Sequence, residues 1–136
     1  MIQHVTRDIL ASELERSRAF YSLLGYEPAP APPSLAGRSV WLERAGTQIH
    51  LMLIDDRAGA DRPPPGHVGL VVDDYPGTVD RLTEAGYTVE PRREHWGSPR
   101  SYVRDPAGYL VELMAWAPGQ RPPAAEQGSP GREAGE

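Results

Sequence analysis

The chain has 136 residues, a net charge of −5, no Cys, and 14 basic residues that are all Arg. One domain with a core of ordinary size fits this length. The composition excludes disulfides, thiolate metal sites, cysteine nucleophiles and Schiff-base lysine chemistry, and the acidic balance without a basic stripe argues against general nucleic-acid binding. No apolar run approaches membrane-spanning length, and the N-terminus lacks the regions of a signal peptide. A soluble, cytoplasmic protein that binds neither nucleic acid nor membrane is the expectation.

Ile2–Asp8 has the pattern of a strand. Ser12 and Glu15 then form a capping-box spacing, which predicts a helix to about Leu24 with Leu14, Tyr21 and Leu24 on its apolar stripe, Phe20 beside them and Gly25 closing it. The Pro-rich stretch Glu27–Leu35 can begin an edge strand but not a central one. Arg38–Glu43 and Thr47–Ile54 read as strands joined by a hairpin turn at Ala45-Gly46. Asp55–Gly66, with three consecutive prolines, reads as a linker. A short apolar strand follows at Gly66–Val72. Asp74 caps a second helix, Tyr75–Ala85, with Val79, Leu82 and Ala85 on one face and Gly86 closing it. Strands are predicted at Tyr87–Arg92, Arg100–Arg104 and Tyr109–Trp116, the last two separated by the turn Asp105–Gly108. From residue 117 onward little can be buried, so a disordered tail is expected.

This order is one unit written twice. His4-Val5, Gly25-Tyr26, Glu27-Pro28 and His50-Leu51-Met52 recur as His67-Val68, Gly86-Tyr87, Glu90-Pro91 and Glu112-Leu113-Met114. The first module spans residues 1–54, the linker 55–66 and the second module 67–116. Each module alone is marginal, so the two should share a core. The matched positions carry His4, His50, His67 and Glu112, all good ligands for a divalent metal. Glu112 lies in a strand that is apolar on both faces, where an ionised carboxylate is costly unless it is paired or binds a cation. Arg104 is the alternative partner that the sequence suggests. Gly69, two residues after His67, leaves room on the same face. His95 falls in a loop and is expected at the surface. Trp41 and Trp116 are expected in the core.

The chain resembles the vicinal oxygen chelate superfamily, which includes glyoxalase I, extradiol dioxygenases, methylmalonyl-CoA epimerase and the bleomycin- and fosfomycin-resistance proteins. The resemblance rests on His4-Val5-Thr6, the run Arg18–Tyr26, Ile49-His50-Leu51, His67-Val68-Gly69-Leu70 and the run Asp105–Leu113. It implies an α+β fold of two βαβββ modules that form curved mixed sheets around a pocket. It also implies one divalent ion (Zn, Ni, Mn, Co or Fe) held by His4, His50, His67 and Glu112, with positions open for substrate oxygens and Glu112 and His50 as acid/base groups. Glyoxalase I typically has Glu where this chain has His50, which lowers a two-base proton shuttle. The absence of Lys lowers the fosfomycin-transferase reading.

Three functions follow. The leading one is a metal-dependent lyase or isomerase acting on a small oxygenated substrate, in which the cation stabilises a developing enolate or oxyanion. The second is an Fe(II) extradiol-type dioxygenase using His4, His67 and Glu112 as a two-His-one-carboxylate triad, with His50 as acid/base. The third is a metal-free drug-binding protein of the bleomycin-resistance kind, with Trp41, Trp96, Tyr102 and Trp116 as stacking surfaces. In the resembled fold, modules pair within a chain or across a dimer. A symmetric homodimer is the expectation.

Overall fold

The computed structural model describes residues 1–56, 66–120 and 122. Most of the expected linker and tail lies outside these residues. The first half contains β1 (His4–Leu10), α1 (Leu14–Leu23), β2 (Glu27–Ala29), β3 (Ser39–Arg44) and β4 (Thr47–Ile54). The second contains β5 (Val68–Val71), α2 (Tyr75–Glu84), β6 (Glu90–Arg92), β7 (Arg100–Arg104) and β8 (Leu110–Met114). Each half is therefore βαβββ and forms its own four-stranded mixed sheet, in the orders β1-β4-β3-β2 and β5-β8-β7-β6. The first and last strands of each module pair in parallel across the helical crossover; the other pairs are antiparallel. Neither sheet closes into a barrel.

Local chemistry sets most of these boundaries. Ala45 (φ 50°) and Gly46 (φ 82°) both take the left-handed conformation, as a two-residue hairpin between β3 and β4 requires. Gly25 and Gly86 end the two helices at the same φ of 93°. The Asp74 side chain accepts from the Gly77 N–H at 3.1 Å and caps α2. Pro28 confines β2 to an outer position of its sheet, with only Glu27–Ala29 of the Pro-rich stretch paired.

Several expectations are corrected. Ser12 does not cap α1, because β1 runs on to Leu10 and a 3₁₀ turn, Ala11–Glu13, comes first; the helix then starts without a side-chain cap. Ala85 is exposed, and α2 buries Thr78 with Leu82 instead. Trp41 and Trp116 are only half-buried and lie outside the core.

The two modules share one core, as their size demands. Ile9, Phe20, Tyr21, Leu42, Ile49 and Leu51 join Val72, Leu82, Val103, Val111 and Leu113 in a single cluster. Polar bonds tie the halves as well. The Tyr21 hydroxyl donates to Asp105 Oδ2 at 2.6 Å, and Tyr109 donates to the Asp8 carbonyl at 2.9 Å. Arg44 donates to the Val71 carbonyl and pairs with Asp73. The rings of Phe20 and Tyr87 meet edge to face at 5.1 Å.

Candidate functional site

Side chains alternate along a strand, so each sheet has a face turned to the core and an open face. Val5, Ile49, Leu51 and Leu42 of the first sheet face the core, which leaves His4, Thr6, His50, Met52 and Trp41 on the open face. In the second sheet His67, Gly69, Glu112, Met114, Arg100 and Tyr102 hold the corresponding places. The strand register shows the correspondence. His50 pairs with Thr6 on one side and Trp41 on the other. Glu112 pairs with Gly69 and Tyr102 in the same way. His4, on β1, and His67, immediately before β5, each stand two residues ahead of that row.

The first pair is aromatic in character. Trp41 stacks on His50 at 3.9 Å with a 5° interplanar angle, and His50 stacks on His4 at 4.2 Å and 16°. His50 Nε2 bonds Gln48 Oε1 at 2.8 Å, and His4 Nδ1 bonds Gln3 Oε1 at 2.9 Å. Burial, and then the neighbouring His4, push the pKa of His50 down, which favours its neutral form.

The second pair is a polar contact. His67 Nε2 lies 2.9 Å from Glu112 Oε2. The other carboxylate oxygen, Oε1, accepts from Arg100 Nε at 2.7 Å. Glu112 is 6% exposed and Arg100 9%. Arg100 also donates to the Arg93 carbonyl at 2.7 Å and to the Tyr102 hydroxyl at 3.1 Å, and the bond to Glu112 raises its pKa further. The buried acid thus has a resident cationic partner. It is Arg100 and not Arg104, whose guanidinium donates to the Gly108 carbonyl.

Two features fit a cation beside this pair. The 2.9 Å between His67 Nε2 and Glu112 Oε2 is a hydrogen-bond distance, which puts the two donor atoms within reach of one ion. Gly69 also puts no side chain beside Glu112; a Cβ there would stand 3.0 Å from Met114 Cε and 3.7 Å from Glu112 Oε2. Among the described residues, however, no three His, Asp or Glu groups lie close enough to hold an ion within one chain. The four candidate ligands form two pairs, His4 with His50 and His67 with Glu112. A cleft of about 540 Å³ between β1 and β5 is lined by both first-strand histidines and by Gly69. His95 is exposed, as expected.

The chain belongs to the Glyoxalase/Bleomycin resistance protein/Dioxygenase superfamily, whose family model matches residues 1–113. Among solved structures it is similar to a glyoxalase family protein from Bacillus anthracis, with 26% identity and a TM-score of 0.72 over 84% of this chain and 93% of that one. It is also similar to lactoylglutathione lyase from Agrobacterium tumefaciens, at 25% identity and a TM-score of 0.60 over 84% and 92%. The fosfomycin resistance protein FosX from Listeria monocytogenes shares the fold at 19% identity, with a TM-score of 0.67 over 86% and 91%. No curated protein matches the chain. Among the described residues no helix is long and apolar enough to cross a membrane.

Proposed function

We propose that the chain is a metal-dependent enzyme of lyase or isomerase type acting on a small oxygenated substrate. His67 and Glu112 are the ligands from one chain, and His4 comes from a second copy. The 2.9 Å approach of His67 Nε2 to Glu112 Oε2, next to a Gly69 that has no side chain, carries this reading. The similarity to a lactoylglutathione lyase supports the reaction class. The bonds from Tyr21 to Asp105 and from Tyr109 to Asp8 hold the two modules of a chain in one arrangement. Among the described residues no third ligand lies beside this pair, so in this reading His4 of a second copy completes the site and the enzyme works as a homodimer.

A divalent ion bound there supplies Lewis-acid stabilisation of a developing oxyanion or enolate. Glu112 Oε2 is the one carboxylate oxygen left free by Arg100, and it both binds and accepts protons. His50 serves the substrate as a neutral imidazole, held flat between Trp41 and His4, and is not a fourth ligand.

One observation favours a second reading. Arg100 already balances Glu112 without any metal, and the stack of Trp41, His50 and His4 offers a flat aromatic surface; a metal-free binder of aromatic ligands would have both. Calorimetric titration of chelator-stripped protein with cobalt(II) separates the two. The enzyme reading predicts about one ion per chain, with affinity reduced about 100-fold or more in His67→Ala and Glu112→Ala. Absence of uptake, together with tight binding of a planar aromatic ligand unchanged in Glu112→Ala, would establish the binder instead.

A further inference from the structure

On the open face of the second sheet, Arg100 is the cation in direct contact with Glu112, where its chemistry opposes a metal ion, and it is firmly held. Its guanidinium is 9% exposed and makes three hydrogen bonds, to Glu112 Oε1, the Arg93 carbonyl and the Tyr102 hydroxyl. The indole of Trp96 lies 5.9 Å from it. That indole is fixed in turn by its bond to the Trp116 carbonyl at 2.8 Å. At the equivalent place in the first module, opposite Met52 as Arg100 is opposite Met114, stands the small neutral Ser39. The charge therefore belongs to one module only.

We infer that Arg100 is a positioning residue that restricts Glu112 to one donor oxygen and cancels its charge. The inference rests on the metal-site reading above. A carboxylate can chelate an ion through both oxygens. Here the 2.7 Å bond from Arg100 Nε occupies Oε1 and turns Oε2 towards His67. Two consequences follow. Glu112 would offer an ion one oxygen only, which would leave more of that ion open to substrate oxygens. The local charge of Glu112 with Arg100 is zero, so a divalent ion keeps nearly its whole charge for polarising the substrate, and it is held less tightly than by an unbalanced carboxylate.

The test uses the whole chain, stripped with chelator and titrated with cobalt(II), as the parent, Arg100→Gln and Arg100→Lys. Arg100→Gln removes the charge and leaves Glu112 buried without its ion pair. It should melt lower than the parent without the ion, regain more on adding cobalt, and bind cobalt about tenfold or more tightly. Its visible cobalt absorption should weaken as Glu112 turns bidentate and the coordination number rises. Arg100→Lys keeps the charge and should stay within about threefold of the parent affinity. A residue that served only the fold would also lower the melting point, but it would not tighten cobalt binding or weaken the cobalt absorption. Unchanged or weaker cobalt binding by Arg100→Gln, or equal tightening in Arg100→Lys, overturns the inference while leaving the metal site standing. An Arg100→Gln chain that stays unfolded with cobalt present overturns it too, since the ion should replace the lost charge. A parent that takes up no cobalt overturns both the inference and the metal-site reading.

Discussion

Glu112 and Arg100 form a buried ion pair at 2.7 Å on adjacent strands, with both side chains less than a tenth exposed. An acid in an apolar strand needs a compensating charge, and this chain contains one. In the presence of chelator, Arg100→Met should therefore destabilise the protein by roughly 3–5 kcal/mol, because it leaves Glu112 buried without its ion pair. Adding Glu112→Leu to that variant should restore much of the loss. A double-mutant cycle by urea unfolding checks this, and additive single effects would show that the pair is not coupled.

Gly69 is extended and lies opposite Glu112. A methyl group there meets only the mobile end of Met114 closely, so Gly69→Ala should fold with stability within about 1 kcal/mol of the parent. The same methyl group narrows the space beside Glu112 Oε2, and cobalt affinity should fall. Full cobalt affinity in Gly69→Ala would show that the space is not where the ion sits.

His50 is held by ring contacts, so its shape matters more than its nitrogen for stability. His50→Phe should stay within about 1 kcal/mol of the parent in thermal unfolding, while His50→Ala loses roughly 1–2 kcal/mol as the stack opens between Trp41 and His4. Both should still bind cobalt. Loss of the ion in His50→Phe would make His50 a ligand after all.

Asp105 joins the modules through Tyr21, and it also accepts from the Ala107 and Tyr109 N–H groups. Burial raises its pKa, against the pull of those bonds. A raised folded-state pKa contributes stability that is fully present below the unfolded value and is lost as pH rises through the folded one. The advantage of the parent over Asp105→Asn should therefore be largest in acid and shrink as pH rises from near about 3.9. Urea unfolding across that range tests it, and a difference independent of pH would contradict it.

Strand positions were legible where alternation and turn residues agreed. Thr47–Ile54 and Arg100–Arg104 have the predicted bounds because Ala45-Gly46 and Asp105–Gly108 punctuate them chemically. Ser12 misled because a capping-box spacing says nothing of where the preceding strand stops. The partner of Glu112 was beyond the sequence for a physical reason. Arg100 and Arg104 share a face of β7, one to each side of Tyr102, which lies opposite Glu112, so alternation cannot choose between them. The choice depends on Arg93 and Tyr102, which enclose one guanidinium, and on Gly108, which holds the other. Duplication likewise identified the four candidate ligands and their equivalence. It could not reveal that one pair is stacked and the other joined by a polar contact, since that depends on Trp41 lying opposite His50 where Tyr102 lies opposite Glu112.

Whether His67 and Glu112 bind a cation is tested most directly by elemental mass spectrometry of native protein isolated without chelator, beside His67→Ala and Glu112→Ala. About one divalent transition-metal ion per chain in the parent, and little in either variant, is the expected result. A folded parent with no stoichiometric ion, or an ion retained in both variants, would contradict it.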